Sequence, residues 1–500
     1  MTGCVLAVDL GTGGPKVALV DAAGTTLAWR SRPVTTTFLP DGGAEQDPRE
    51  MWDAVVAAAC DALGALDPVP PVLAVAVTSQ YMSTIPVAAD GTPTGPCVLW
   101  MDTRGAADNR ALLTETSVPM FLERHGLIPL PSGNDDVAHV AVLRRHHPDA
   151  YASAAAFLEP MDYVNARLTG RVCATQSTMF GQLVCDNRTW GATAYDPDLV
   201  AATGLDPDRL PELVPMRSIV GEVTTGAAEA LGIPAGTPVT VGTIDSITSA
   251  VGAGALDPSA GSIIIGTTSV MVTHVRRHSA DLGGALLAVP SPLPDRWYLM
   301  AENGLGGRAL DWVARLTGYG DDIAGAVDEA AHVAAGSEGV QFLPWLLGSI
   351  APRPDDHVRG AFTGLDLRHD RRHLVRAALE GIALNLAWLL PFVEQAADAA
   401  WPFLRFGGGG AQSDLWAQVL ADALDRPVHQ LHEPRATNAR GAAFLAFAEL
   451  GTIDIDDVPS LLRVRAVYEP QPATRSTYAA ALHHLTSLHP TLATLSRSRS

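Results

Sequence analysis

An apolar strand, a Gly-Thr turn and a second apolar strand occur twice in this chain, as CVLAVDLGTGGPKVALVD (Cys4 to Asp21) and as GSIIIGTTSVMVTHV (Gly261 to Val275). A unit that recurs so far along a chain implies two related domains, each opening on an antiparallel hairpin and facing the other across a cleft. The length of 500 residues agrees, because single hydrophobic cores stop growing at roughly 250 to 300 residues. With the join in the Gly- and Ala-rich stretch Val251 to Ala260, the domains are expected at 1–254 and 255–500. The last helix is a candidate to return to the first domain, and the terminal TLATLSRSRS is expected to fray.

Between the hairpins the periodicity is that of an α/β protein. A third strand is expected at TTLAWRSRPV, after the turn Ala22 to Gly24. A helix should then start on Asp47 as its cap, with Pro48 in first position and Trp52, Val55, Val56, Ala59 and Leu63 on one face. Val72 to Thr78 is apolar on both faces and predicts a buried strand. The apolar stretch Leu374 to Phe392 contains Arg376, Glu380 and Asn385, which predicts a buried helix rather than a membrane span.

Charge and cysteine usage narrow the function. Thirty-four basic against 54 acidic residues give a net charge of −20, which disfavours attraction to nucleic acid or an anionic membrane. The five cysteines show no metal spacing and no C-x-x-C, so a reducing, cytoplasmic setting is expected. No basic segment precedes the first apolar run, and Asp9 and Gly11 interrupt that run too early for a signal peptide.

Four segments could carry chemistry. DLGTGGPK (Asp9 to Lys16) lacks the Ser or Thr after the lysine of a Walker loop and the third glycine of a dinucleotide fingerprint. It remains a glycine-rich hairpin turn able to present N–H groups and a Thr hydroxyl to a phosphate, with Asp9 placed to hold magnesium through water, or else an ordinary turn with a solvated Asp. Lys16 is the single lysine among 34 basic residues, a compact ammonium kept where arginine serves everywhere else. VGTIDSITSAVGAG puts Asp245 at a strand-to-helix junction, where it is either a carboxylate that accepts a hydroxyl proton or a helix cap. FLRFGGGGAQSDLWAQVL runs a strand through Gly407 to Gly410 into a helix, as a nucleotide pocket or a flexible loop. LWMDTR sets Trp100, Asp102 and Arg104 together, which suits a polyhydroxylated ligand or a surface ion pair beside an indole.

Taken in this order, these segments resemble the FGGY carbohydrate kinases, of the actin, Hsp70 and hexokinase-like ATPase superfamily. EQDPREMW (Glu45 to Trp52), ENGLGGRALDW (Glu302 to Trp312), the stretch Arg359 to Ala383, and ATNARGAAFLA (Ala436 to Ala446) extend the likeness, which is nearest the xylulokinase-like branch. The resemblance implies an α/β architecture of two ribonuclease H-like domains flanking a catalytic cleft, closing over ATP, Mg2+ and a small sugar or polyol. It implies that Asp9 assists the metal, that Gly11, Thr12, Gly13 and Lys16 form one phosphate turn and that Gly266, Thr267 and Thr268 form the other. Gly409, Gly410, Ala411 and Gln412 would line the nucleotide site, Asp245 would be the general base, and Gln80, Tyr81, Met82, Trp100, Asp102 and Arg104 would lie near the sugar.

One departure bears on substrate. Where xylulokinases of the family carry Gln-Met-His-Gly, this chain has Gln80-Tyr81-Met82-Ser83, and a thioether cannot replace the hydrogen bonds of an imidazole. The expected activity is phosphorylation of a ketopentose such as xylulose, the alternatives being another polyol, ketohexose or aldonate. A non-catalytic sugar- and nucleotide-binding regulator of the same fold is the reading from another class. A homodimer is an open expectation; nucleic acid and membrane are not expected partners.

Overall fold

The computed structural model describes residues 3–278 and 286–497. Its first lobe is organised on a seven-stranded sheet made of β1 (Cys4–Gly11), β2 (Gly14–Asp21), β3 (Thr26–Ser31), β4 (Val72–Ser79), β5 (Ile219–Glu222), β6 (Pro238–Thr240) and β7 (Thr243–Ile244). The strand order is β5-β6-β4-β1-β2-β3, with β7 also paired to β4. The second lobe has a seven-stranded sheet made of β8 (Gly261–Ile265), β9 (Thr268–Val275), β10 (Leu287–Pro290), β11 (Trp297–Leu305), β12 (Leu404–Gly407), β13 (Val428–Leu431) and β14 (Val464–Tyr468), in the order β10-β11-β9-β8-β12-β13-β14.

The duplication is visible pairing by pairing. In the first sheet β1–β2 and β2–β3 are antiparallel, β1–β4 and β4–β6 parallel, and β6–β5 antiparallel. In the second sheet β8–β9 and β9–β11 are antiparallel, β8–β12 and β12–β13 parallel, and β13–β14 antiparallel. The two hairpins that echo each other in sequence therefore occupy the same place in each sheet.

Local signals explain the helices. α1 (Pro48–Leu63) begins where Asp47 accepts from the Arg49 amide, and it buries Trp52, Val55, Ala59 and Leu63. α2 (Asp245–Gly252) follows directly on β7. α3 (Arg371–Ala397) is long and apolar enough to cross a membrane, but 83% of its most apolar window is buried in the second lobe. Its polar residues are partnered there: Arg376 Nε donates to Glu380 at 2.7 Å, the Tyr478 hydroxyl to Glu380 at 3.0 Å, and the Trp345 indole to Asn385 at 3.2 Å.

α4 (Thr437–Glu449) belongs to the second half of the sequence, yet it lays Ala439, Ala442, Ala443, Ala446 and Phe447 against Val5, Ala7, Val20 and Ala76 of the first sheet. Small side chains allow that close approach. α4 also crosses α2 backbone to backbone: a Cβ on Gly441 would lie 1.8 Å from the Thr248 carbonyl oxygen, and one on Gly252 would lie 1.9 Å from that of Thr437. The last helix, α5 (Arg475–Arg497), instead packs Tyr478, Leu485 and Ala493 into the core of the second lobe. The helix that reaches the first sheet is thus α4 rather than the last one. TLATLSR is helical through Arg497 rather than frayed, because Ala493 is buried, and residues 498–500 lie outside the described residues.

Candidate active site

The first turn joins β1 to β2, and the hairpin register makes Asp9 and Lys16 facing partners. Lys16 Nζ donates to Asp9 Oδ2 at 3.1 Å. The Asp9 charge raises the Lys16 ammonium above its ordinary pKa, so it stays charged at neutral pH. Asp9 itself is buried, and its Oδ1 has no partner among the described residues. Gly14 has φ +118°, and a Cβ there would lie 2.1 Å from the Arg32 carbonyl oxygen, so only glycine closes this turn. Gly13 is exposed with open space around it, and a Cβ on Gly11 would meet Lys16 Nζ first, at 3.6 Å.

Thr12 is held from three sides. Its hydroxyl donates to Gln80 Oε1 and accepts from the Trp100 indole at 3.1 Å, while its carbonyl accepts from Gln46 Nε2 at 2.7 Å. Gln80 and Trp100 therefore brace the turn. The groups left to meet a phosphate are the turn's backbone and the Lys16 ammonium.

The second turn, Gly266–Thr267, is exposed, and Thr268 opens β9 beside it. The carbonyls of Gly266 and Thr267 accept from the amides of Gly307 at 2.8 Å and Gly306 at 3.0 Å, which ties the turn to its own lobe. Nearby, Gly408 has φ +81° with the Ile265 carbonyl oxygen 2.6 Å from a built Cβ, and Gly410 is closed in by Ile265 and Trp416. Gly409 alone in this run is exposed with nothing within 4 Å of a Cβ, and Gln412 Nε2 reaches back to its carbonyl at 3.0 Å. Ala411 is fully buried, so it supports the turn from beneath and does not line it.

Asp245 stands where β7 ends. β7 pairs with β4 through Thr243–Thr78, and β4 pairs with β1 through Thr78–Asp9, so the strand register brings Asp245 toward Asp9. The capping alternative is not taken: Ile244 is the N-cap and no side chain caps α2. Burial raises the Asp245 carboxyl to about 7, with the Asp9 charge acting in the same sense and Lys16 opposing it. Ser246 Oγ donates to its Oδ1 at 3.3 Å.

Asp102, fully buried, requires correction as a sugar contact, and Arg104 is largely committed to it. Arg104 Nη2 donates to Asp102 Oδ2 at 2.6 Å and to Glu45 Oε1 at 2.6 Å, Asp102 also accepts from the Ala44 amide at 3.0 Å, and the Arg104 side chain is 4% exposed. This triad fixes the loop that carries Trp100 and commits Asp102 and the Nε and Nη2 donors of Arg104 to protein partners. Met82 packs on the first core at φ +57°, its amide and that of Ser83 donating to the buried Glu159 carboxylate at 2.7 and 3.1 Å. The polar group turned to the cleft is the Tyr81 phenol, which donates to Met300 Sδ at 3.7 Å.

The sequence reading missed the second lobe's share of this pocket. Tyr298, Met300 and Glu302 alternate along β11 on the face toward Tyr81 and Ser246; burial raises the Tyr81 and Tyr298 phenols, and the Glu302 and Asp245 charges raise both further. A Glu in register with Tyr and Met in an otherwise apolar strand was the available signal. Among the described residues no group of three or more His, Cys, Asp or Glu side chains forms a metal site.

Models of known families match both lobes: the N-terminal domain of the FGGY family of carbohydrate kinases over residues 4–252, and its C-terminal domain over residues 261–450. The chain is 33% identical to a xylulose kinase of Streptomyces coelicolor over 88% of its length and 86% of that protein. It is 25% identical to a gluconokinase of Bacillus licheniformis over 92% of its length and 90% of that protein. The crystal structure of xylulose kinase from Rhodospirillum rubrum superposes with a TM-score of 0.84 at 28% identity, covering 99% of this chain and all of that one.

Proposed function

The chain belongs to the FGGY family of carbohydrate kinases and is a sugar kinase, and from that premise we propose that it transfers the γ-phosphate of ATP to a hydroxyl of a small sugar or polyol, a ketopentose such as xylulose being the first choice. The observation that supports this reading is a carboxylate with no helix-capping duty, Asp245, close enough to the Asp9–Lys16 pair to feel both charges.

Phosphoryl transfer asks a protein mainly for positioning and charge stabilisation. The turns at Gly11–Gly13 and Gly266–Thr267 offer backbone to the phosphates from opposite lobes, and Gly409 lets a nucleotide approach without a side chain in the way. Lys16, held charged by Asp9, neutralises the phosphoryl oxygens, and Arg435 is close enough to act on Lys16 electrostatically. Asp245 orients the sugar hydroxyl and accepts its proton as the oxygen attacks phosphorus. Closure of the lobes keeps water from taking the place of the sugar.

Magnesium fits this arrangement, since Asp9 Oδ1 is buried without a partner among the described residues while Oδ2 is held by Lys16. When bound, the ion supplies positive charge to the phosphates, and Asp9 would hold it through water. ADP release measured over a panel of ketopentoses, ketohexoses, pentitols, glycerol and aldonates tests the reading; a flat response would move it to a non-catalytic binding protein.

Two further results are expected. Because Asp245 works as a carboxylate and its carboxyl lies at about 7 in the free enzyme, kcat/KM for the sugar should fall as pH drops through 7, by about tenfold per unit. A pH–rate profile with its acid limb in the ordinary carboxylate range would remove Asp245 as the titrating base. An amine-directed reagent can modify only Lys16 and the N-terminal amine. Mg-ATP should protect Lys16 in a peptide-mass assay, and equal labelling with and without nucleotide would exclude its placement at the phosphates.

A further inference from the structure

Glu302 is not used by the transfer step described above, yet it stands on the Tyr81 side of its strand. Along β11, Leu299 and Ala301 are buried in the second-lobe core, whereas Tyr298 joins the first-lobe core and Met300 packs against it. Glu302 continues the Tyr298–Met300 side of that alternation. The next residue locks the orientation: Asn303 Nδ2 donates to the Asn385 carbonyl at 3.0 Å, and Asn385 Nδ2 donates to the Asn303 carbonyl at 3.0 Å. With Asn303 pinned to α3 on one face, Glu302 is held toward the cleft on the other. It is half-buried there, and burial raises its carboxyl.

The charges around it favour one class of ligand. Glu302 shares the Tyr81 neighbourhood with Asp245, and Asp245 in turn feels Asp9. The nearby cations stand away from the sugar side: Lys16 is paired with Asp9, Arg435 acts on Lys16 at the first turn, and Arg104 lies in its buried triad. Such a pocket offers acceptors to hydroxyl groups and repels a carboxylate. We propose that Glu302 determines specificity by accepting hydrogen bonds from the substrate's hydroxyl groups, from the lobe opposite the base, so that this kinase takes neutral sugars or polyols and rejects aldonates. The inference rests on the kinase reading and narrows its substrate class.

The test uses full-length wild type, Glu302→Gln and Glu302→Ala with xylulose, ribulose, glycerol and gluconate, followed by ADP release. Wild type should turn over a neutral member of the panel and discriminate against gluconate. Glu302→Ala should raise KM for that neutral substrate about tenfold or more, with kcat and the KM for ATP little changed, because the lost contact is made equally in ground and transition states. Glu302→Gln, which keeps the shape and removes the charge, should raise the gluconate-to-neutral ratio of kcat/KM by about tenfold. The proposal is overturned if wild type prefers gluconate, or if both variants leave every KM within about twofold of wild type. If wild type responds to no sugar, the kinase reading fails first and Glu302 with it. Turnover of a neutral sugar that is indifferent to Glu302 defeats this inference alone.

Discussion

Asp245→Asn is expected to leave ATP binding largely intact while lowering kcat by roughly 10² to 10⁴. The amide preserves the shape of the residue at the start of α2 but cannot accept a proton from a sugar hydroxyl. Since no side-chain cap is lost, the helix itself should not suffer. Linkage gives an internal control. The Asp245 carboxyl is raised to about 7, so the stability it contributes is present below the ordinary carboxylate pKa and is lost as pH rises through 7. The amide has no such charge, and the variant should therefore melt higher than wild type at pH 8. Low turnover with an equal or higher Tm would separate loss of the base from loss of the fold, and wild-type turnover in this variant would exclude Asp245 as the base.

The second large effect is expected at the crossing of α2 and α4. Gly441→Ala improves intrinsic helix propensity by about 1 kcal/mol. The new methyl would nonetheless start 1.8 Å from the Thr248 carbonyl oxygen, where the obstacle is backbone and cannot rotate away. Overpacking of this kind costs about 1 to 3 kcal/mol, so the clash wins. Relief requires the helices to separate, and α2 carries Asp245 at its first position. A displacement of about 1 Å at reacting groups can cost about 10² in rate. Both Tm and kcat/KM should fall in Gly441→Ala, whereas a surface Gly→Ala change at Gly226, which has open space around it, should alter neither. Unchanged activity at Gly441 would show that the crossing does not set the position of the base.

Legibility followed the range of the interactions. The hairpins, α1 and the buried strand β4 could be read because their determinants are local: glycine turns, Asp47 before Pro48, and an unbroken apolar run. Asp9, Lys16 and Asp245 could be proposed for the same reason, Asp9 and Lys16 flanking a glycine turn and Asp245 following a strand. What failed was long-range. Nothing near LWMDTR announces that Glu45 will meet Arg104, so the burial of Asp102 in a triad was not legible. Ala411 follows three exposed or half-exposed glycines, and only the packing of its 3-10 turn decides that it faces inward. Tyr298 and Glu302 lie far in sequence from Tyr81 and Asp245, with which they share the pocket, so their alternation was visible but their partner face was not.

The return of α4 to the first sheet also has a consequence for how the protein is made. During synthesis the strands of the first sheet emerge early, but Val5, Ala7, Val20 and Ala76 are covered by a helix that leaves the ribosome only after most of the second lobe. The nascent first half must therefore wait with an apolar sheet face bare, in the kind of exposed intermediate that chaperones hold. Completion of either lobe is a late event shared by both.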